Sequence, residues 1–326
     1  MDGSQGKKLL IDYTKKARPI LLKLIGQQIR ENKSVGKVPQ ELLKSFKKLS
    51  SHGKGVRGAL AVLGYKSGGG KQVEEMIKTS IFLELVHASL LVHDDIMDRD
   101  DLRRGEETVH KTFERYGKKI GVSIPPNHYG ESLAICLGDY IFYLGNKVLL
   151  DSKLPKKNVL EAFKLYSKYL MRVGMGQTLD MTVSSIKNPT EEDLLKVLWL
   201  KSGEYTCLLP LSVGMALSGV SDPKIYKAME DYARCFGWAF QIQDDILGIY
   251  SDEKTLGKVI GSDIKEGKVT LLVMHLRKNG TKAQKNLLNK YLGKKTTKKD
   301  LEVIRKLFKE AGSYGYVKDL GWKYVK

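Results

Sequence analysis

The sequence predicts a single all-α domain, and three observations predict it. Apolar residues recur at helical period in long segments. No convincing run of alternating strand residues occurs, and nothing repeats at the solenoid periods of about 20–50 residues. Only 8 prolines fall in 326 residues, and no long polar linker divides them. With 42% hydrophobic and 29% charged residues, the chain has enough apolar content for a large core, which excludes disorder as a whole-chain description.

The elements follow in order. Residues 73–93 predict a central, buried helix. Met76, Ile77, Ile81, Leu83, Leu85, Val86, Leu90 and Leu91 leave only Lys78 and Glu84 charged after the opening Glu74-Glu75. Residues 160–179, 194–207 and 225–250 follow the same pattern. Thr190-Glu191-Glu192-Asp193, just behind Pro189, is a capping-box helix start. Looser segments are predicted near 66–71, 121–130 and 278–300. The run Ser67-Gly68-Gly69-Gly70-Lys71 lacks the spacing of a nucleotide-binding phosphate loop and is expected to be a plain connection between helices.

Charge is unevenly placed. Basic residues number 56 and acidic ones 37, for a net charge of +19. Residues 1–70 hold 15 basic against 4 acidic, and residues 278–326 hold 14 against 4, while the middle is near neutral at 27 against 29. A single nucleic-acid-binding face is not written that way. The ends predict a solvated outer surface that aids capture of anionic substrates, with at most peripheral contact with an anionic membrane. Cys136, Cys207 and Cys235 share no metal-ligand spacing and form no even set, so a reducing, cytoplasmic compartment is expected rather than a disulfide framework or zinc site. The N-terminus has no apolar core of signal-peptide length. The longest uncharged run, residues 205–221, is too short and too interrupted for a membrane span and is expected to be a buried core helix.

Two acidic clusters end apolar helices. The first is Asp94-Asp95-Ile96-Met97-Asp98, followed by Arg103-Arg104-Gly105. Carboxylates this close repel and need a counter-charge. Asp94 and Asp98 lie four apart on one helical face, and two oxygen ligands one turn apart suit Mg²⁺, whose shell water and phosphate complete. The second is Phe240-Gln241-Ile242-Gln243-Asp244-Asp245, followed by Asp252, Glu253 and Lys258 and then by Gly261-Ser262-Asp263 and Lys268. The two acidic ends are expected to face each other across a helix bundle and to clamp one highly charged anion through several Mg²⁺ ions, for which a diphosphate is the natural guest. His52-Gly53-Lys54-Gly55-Val56-Arg57-Gly58 sets two cations three apart on a glycine-flanked turn suited to phosphate oxygens. On its own this turn is also compatible with a basic surface loop, and His87 with a satisfied core histidine.

Together these motifs resemble the trans-isoprenyl diphosphate synthases, with the archaeal-type geranylgeranyl diphosphate synthases nearest. The resemblance runs from about Lys54 to Thr270. It implies a single polyprenyl synthetase domain over 1–326, built of antiparallel helices around a deep central cavity, and a homodimer. It implies head-to-tail condensation of isopentenyl diphosphate with allylic diphosphates such as the dimethylallyl, geranyl and farnesyl compounds. Asp94, Asp98 and Asp244, supported by Asp95 and Asp245, would hold Mg²⁺, three ions per site. Arg103, Lys201, Lys258 and Lys268, with Ser202 and Gln241, would bind the allylic diphosphate. Lys54, Arg57, His87 and Arg104 would bind isopentenyl diphosphate, with Phe240 beside its chain. Gln177 and Asp180 fall in the family's Gln-x-x-Asp segment. Three positions depart from the family pattern: Gly58 stands where a Pro is usual, Gly248 replaces the third Asp of the second motif, and Ser202 replaces a Thr.

The helix before Asp94 is expected to line the hole that takes the product chain, through Leu90, Ser89, Val86 and Phe82. Ser89 lies five residues, or about 7.5 Å of helix, behind Asp94. Archaeal-type relatives set a bulky aromatic floor at that place. The small Ser89 predicts a floor set elsewhere, by Phe82 or an opposing helix at 133–143, and a chain of twenty carbons or more. A class I terpene cyclase shares the first motif but needs only one diphosphate site. A non-catalytic partner subunit would have lost an Asp motif, and this chain keeps both.

Overall fold

The computed structural model describes residues 4–103, 105–186, 189–251 and 260–325. Arg104, Asp252, Glu253 and Lys258 lie outside the described residues. In chain order the helices are α1 (Ser4–Glu31), α2 (Lys37–Ser50), α3 (Val56–Ser67), α4 (Val73–Met97), α5 (Val109–Ile120), α6 (Pro126–Leu150) and α7 (Lys156–Ser185). Then come α8 (Glu191–Val197), a π-helical stretch Leu198–Leu208, α9 (Leu209–Ser218) and α10 (Pro223–Tyr250). The last described helices are α11 (Ser262–Glu266), α12 (Leu271–Asn279), α13 (Lys282–Tyr291), α14 (Lys298–Glu310) and α15 (Ser313–Val325).

The chain forms two compact units. One is Met1–Leu165 with Pro210–Ser221, and the other is Tyr166–Leu209 with Asp222–Lys326. The first is centred on α4, whose apolar residues are buried almost all round, as its lack of a polar face requires. Leu85 and Val92 of α4 join Leu21, Ile25, Phe46, Phe113, Leu137 and Ile141 in one core. Each such side chain contributes about 1.5–3 kcal/mol when removed from water. By length and composition α4 and α6 are apolar enough to cross a membrane, a property the uncharged-run criterion passed over. The burial of α4 within its own unit is that of a core helix.

The second unit has its own core, in which Ile242, Ile246 and Ile249 of α10 pack with Leu272, Val273, Leu276, Ile304, Phe308 and Val317. Its α8 starts where the capping box predicts: the Thr190 side chain accepts from the Asp193 N–H, and the Asp193 carboxylate accepts from the Thr190 N–H. The predicted loose segment 278–300 is corrected by α13, which is launched by a second capping box, Thr281 with Gln284, and anchored by buried Leu288. Likewise α6 begins at Pro126, inside the segment predicted loose over 121–130, because Pro is favoured in a helix's first turn. A two-residue hairpin, β1 (Leu102–Arg103) with β2 (Glu106–Glu107), turns at Gly105, which has φ 78°. Strands of two residues are too short to leave an alternating pattern in sequence.

The π-helical stretch overlaps all but the first turn of the predicted helix 194–207 and runs one residue past it. Its wider winding brings Gly203 against Gly237 of α10, where a Cβ on Gly203 would stand 3.0 Å from the Gly237 Cα. Any side chain at either glycine would part these two elements. Such π segments cluster at functional positions, and this one carries Lys201 and Ser202.

Candidate active site

The first unit presents the Asp94 cluster at the C-terminal end of α4. Asp98 closes the helix, its N–H donating to the Asp94 carbonyl at 2.8 Å. The next residue, Arg99, takes φ 55°, a left-handed conformation that non-glycine residues rarely adopt. That turn lets the Asp100 N–H donate back to the Asp95 carbonyl at 2.9 Å and carries the hairpin beneath the helix end. Arg103 thereby reaches Asp95: its Nε donates to Oδ1 at 2.6 Å, and its Nη2 pairs with the same oxygen. Nη2 also donates to Asp100 Oδ2 at 3.1 Å and lies 3.9 Å from Asp94 Oδ2. Arg103 and Asp95 are buried, whereas Asp94 and Asp98 are half-buried. Burial pushes the Asp95 carboxyl up to about 6 against the pull of Arg103.

On the helical stripe that holds Asp94, His87 and Leu91 are also half-buried. The start of α3 packs beside this stripe, because the Gly58 N–H donates to Glu84 Oε1 at 2.9 Å, one turn before His87. Lys54 and Arg57 flank Gly55, whose φ of 63° forms the left-handed entry to α3. The basic turn and His87 are thus set on neighbouring elements of one unit. The departure at Gly58 has a physical reason. A Cβ there would collide with the hydroxyl of Tyr13, which sits buried against α3 and bonds Ser80 at 2.9 Å. A Pro would in addition lose the N–H that binds Glu84.

The chain-length positions sit in the contact of α4 with α6. Ser89 is fully buried, and its hydroxyl donates to the Gly138 carbonyl at 2.8 Å. Val86 and Phe82 are fully buried too, with Gly145 of α6 packed against both. Leu90 alone of the four stays half-buried.

In the second unit, Asp180 of α7 gathers two of the predicted cations. Its Oδ2 accepts from Lys201 Nζ at 2.8 Å and from Lys268 Nζ at 3.2 Å. Burial raises the Asp180 carboxyl, but Lys268 and Lys201 more than offset it and hold the group below its ordinary range. Ser202 follows Lys201, half-buried, and Gln177 lies one turn before Asp180. Asp180→Asn is expected to cost about 1–3 kcal/mol of stability at pH 7. A depressed folded-state value means that this contribution is full above the unfolded pKa, near 4, and is lost as pH falls through the lower folded value. Urea unfolding of the variant and the parent should therefore converge as pH falls below the ordinary carboxylate range, and a gap that is constant with pH would refute the assignment.

Gln241 of α10 donates through Nε2 to Asp245 Oδ1 at 3.0 Å. Asp244, beside it, is exposed. Burial, and then the charge of Asp263, push the Asp245 carboxyl up to about 7. Asp263 lies on α11 and is a member of this cluster to which the sequence assigned no role. A Cβ on Gly248 would stand 3.6 Å from Asp263 Oδ2, so Asp263 takes the room left by the missing third Asp of the motif. The Gly261 N–H donates to the Gly248 carbonyl at 2.9 Å, which sets the start of α11 beside the last turns of α10.

Among the described residues, no three of His, Cys, Asp and Glu are arranged to hold an ion by themselves. That suits Mg²⁺, which keeps several waters and takes one or two carboxylates plus phosphate oxygens. Asp94 and Asp98 one helical turn apart, and the exposed Asp244 beside Asp245, offer hard carboxylate oxygens of the kind such an ion takes, so the donor chemistry of both clusters fits a divalent cation.

A family model for polyprenyl synthetase matches residues 39–311. A short chain isoprenyl diphosphate synthase of Methanothermobacter thermautotrophicus is 32% identical over 304 residues, covering 92% of this chain and 86% of that one. A geranylgeranyl diphosphate synthase of Methanosarcina mazei is 32% identical over 290 residues, covering 88% and 82%. The crystal structure of a geranylgeranyl pyrophosphate synthase from Corynebacterium glutamicum, complexed with isoprenyl diphosphate and magnesium, superposes with a TM-score of 0.89. It is 28% identical and covers 96% of this chain and 90% of that one.

Proposed function

The chain belongs to the polyprenyl synthetase family, and from that premise we propose how its residues divide the work of one prenyl transfer. It is a trans-prenyltransferase of the all-α isoprenoid synthase fold, condensing isopentenyl diphosphate head-to-tail with an allylic diphosphate in a Mg²⁺-dependent reaction. The observation that carries the division of roles is that Asp94 and Asp98 are more exposed than Asp95, which holds Arg103, and that Asp244 is more exposed than Asp245, which holds Gln241. Asp94, Asp98 and Asp244 would hold the Mg²⁺, three ions per site. Asp95 and Asp245, with Asp263, position those carboxylates.

The allylic C–O bond breaks to give a resonance-stabilised cation and a departing diphosphate. Mg²⁺, when bound, would supply positive charge where the leaving diphosphate develops negative charge. Lys201 and Lys268, preset by Asp180, meet the same oxygens with little reorganisation, which is where electrostatic catalysis gains most. Lys258 and Arg103 are assigned to that end as well. Lys54, Arg57, His87 and Arg104 hold isopentenyl diphosphate so that its alkene attacks the cation at near-attack distance. A C–C bond forms, and the proton lost from the adduct goes to the departing diphosphate. No protein nucleophile is required.

We assign one functional domain to the whole chain, a homodimer, and a cytoplasmic location that its three free cysteines support. The product is geranylgeranyl diphosphate or a somewhat longer all-trans chain. Ser89→Phe should shorten it, at a stability cost of about 1–3 kcal/mol for overpacking the α4–α6 contact, and an unchanged product spectrum would reject the role of this position. The reaction itself is tested with purified chain, Mg²⁺, isopentenyl diphosphate and the dimethylallyl, geranyl or farnesyl primer, followed by chromatography of the dephosphorylated products. Linear chains that need isopentenyl diphosphate are expected. A cyclic hydrocarbon formed without it would favour a terpene cyclase.

A further inference from the structure

The basic turn ahead of α3 is held by α1. Arg18 Nη2 donates to the Gly53 carbonyl at 2.7 Å. Thr14, one helical turn earlier, donates through Oγ1 to the Lys54 carbonyl at 3.3 Å, and to the Leu10 carbonyl of its own helix at 2.7 Å. Tyr13 fills the space beside Gly55, where an added Cβ would stand 3.0 Å from its ring. At the other end of the turn, Glu84 takes the Gly58 N–H. Lys54 and Arg57 are therefore bracketed by main-chain anchors at 53, 54 and 58. The cavity left among Arg18, Gly53, Gly55 and Glu84 is only about 30 Å³, so the turn lies close against α1. The neighbouring cation, Lys16, behaves differently: it pairs with Glu74 at 2.6 Å in solvent. Arg18 is half-buried and gives its charge-assisted hydrogen bond, the stronger kind, to main chain.

We propose that Arg18 is a positioning residue for isopentenyl diphosphate: by holding the Gly53 carbonyl it fixes the turn from which Lys54 and Arg57 reach that substrate. The inference rests on the assignment of this turn under the prenyl-transfer reading and adds the residue that shapes it. Two cations three residues apart grip one diphosphate well only if the backbone between them keeps one shape. A turn with Gly53 and Gly55 does not keep one unaided, and Gly55 must hold φ 63°. Left free, the turn would have to be ordered when substrate binds, at the cost of affinity. Arg18 orders it beforehand. Its planar fork is a geometry that an ammonium does not reproduce. The allylic diphosphate, assigned to Lys201 and Lys268, does not use this turn, so the effect of Arg18 falls on one substrate.

The test compares steady-state kinetics for the two substrates. Arg18→Met keeps an aliphatic stem and removes the donor. It is expected to raise KM for isopentenyl diphosphate about tenfold, the scale of a lost hydrogen bond from a charged group, with kcat and the KM for farnesyl diphosphate within about twofold. Arg18→Lys should recover only part of the loss, because it keeps the charge without the fork. The ratio of variant to parent KM should be the same at about 50 and about 500 mM KCl, since salt screens a direct pull of Arg18 on the substrate but not a held backbone. Lys16→Met, which removes the neighbouring exposed cation, should match the parent. If Arg18→Met folds poorly, Thr14→Val carries the test, and it should shift the same KM in the same direction. An equal rise for both substrates, no rise, or a rise that vanishes at high salt would overturn the inference. Lys54→Met separates it from the reading beneath it. A raised isopentenyl diphosphate KM there, beside an unchanged one in Arg18→Met, rejects Arg18 alone, whereas an unchanged KM in Lys54→Met strikes at the assignment of the turn.

Discussion

Replacing Asp94 by Ala should abolish condensation with the dimethylallyl, geranyl and farnesyl primers alike, by about a thousandfold or more, the scale of a lost electrostatic centre in a transition state. The residue is chosen over its neighbour on geometry. The Asp95 carboxylate is buried and already holds Arg103 at 2.6 Å, whereas Asp94 is half-buried and stands 3.9 Å from the same guanidinium. The fold should survive, because the Asp94 carbonyl that accepts the Asp98 N–H remains in the variant. Asp101→Ala is the matched control. It removes an exposed carboxylate of the same connection, 3.5 Å from Lys111, and should leave turnover within about twofold, since exposed pairs contribute little. Mg²⁺-dependent protection against thermal unfolding, measured with inorganic diphosphate present, gives a second readout that should fall in Asp94→Ala. Retained turnover in that variant would refute the metal assignment.

What the sequence made legible was local. The buried helix 73–93 follows from apolar spacing alone, and the shared face of Asp94 and Asp98 follows from the helical period. The capping box at Thr190 is a four-residue signal and stands as read. The equivalent signal at Thr281-Gln284 was also present, but the lysine-rich setting concealed it, and α13 went unpredicted. The π-helical stretch was invisible for a different reason. Its apolar pattern fits an ordinary helix, and the altered winding is fixed by a contact with Gly237, 34 residues downstream of Gly203.

The site divides along the same line. The residue types and their order were legible, but their partners were not. Asp180 gathers Lys201 and Lys268 across 21 and 88 residues, a convergence that only the tertiary fold creates. Gly58 is explained by Tyr13, far upstream. Asp263 stood in plain view, yet nothing in sequence spacing tells that its carboxylate occupies the room beside Gly248. Each of these depends on a side chain's direction, which a one-dimensional pattern does not carry.

Arg103 is the residue whose place in the structure most alters what its loss should do. A side chain devoted to substrate phosphate would, when truncated, cost activity and leave stability nearly unchanged. Arg103 is instead buried among Asp95, Asp100 and Asp94, reached only because Arg99 turns left-handed and the hairpin doubles back. Removing one partner of a buried ion pair leaves an uncompensated charge, at a cost of about 3–5 kcal/mol. Arg103→Met, which keeps much of the volume, is therefore expected to be destabilised by that amount in urea unfolding. Asp95→Asn in the same background should recover a large part of the loss, because the neutral amide no longer needs the guanidinium, and the double variant should be more stable than Arg103→Met alone. The interaction energy from that cycle measures the pair directly. Activity need not return with stability, since the double variant also lacks the charge that holds the Asp94 cluster together. A loss below about 1 kcal/mol in Arg103→Met, the range of an exposed pair, would make Arg103 a residue held for the substrate alone, and the buried pair with Asp95 would then not be what organises the helix end.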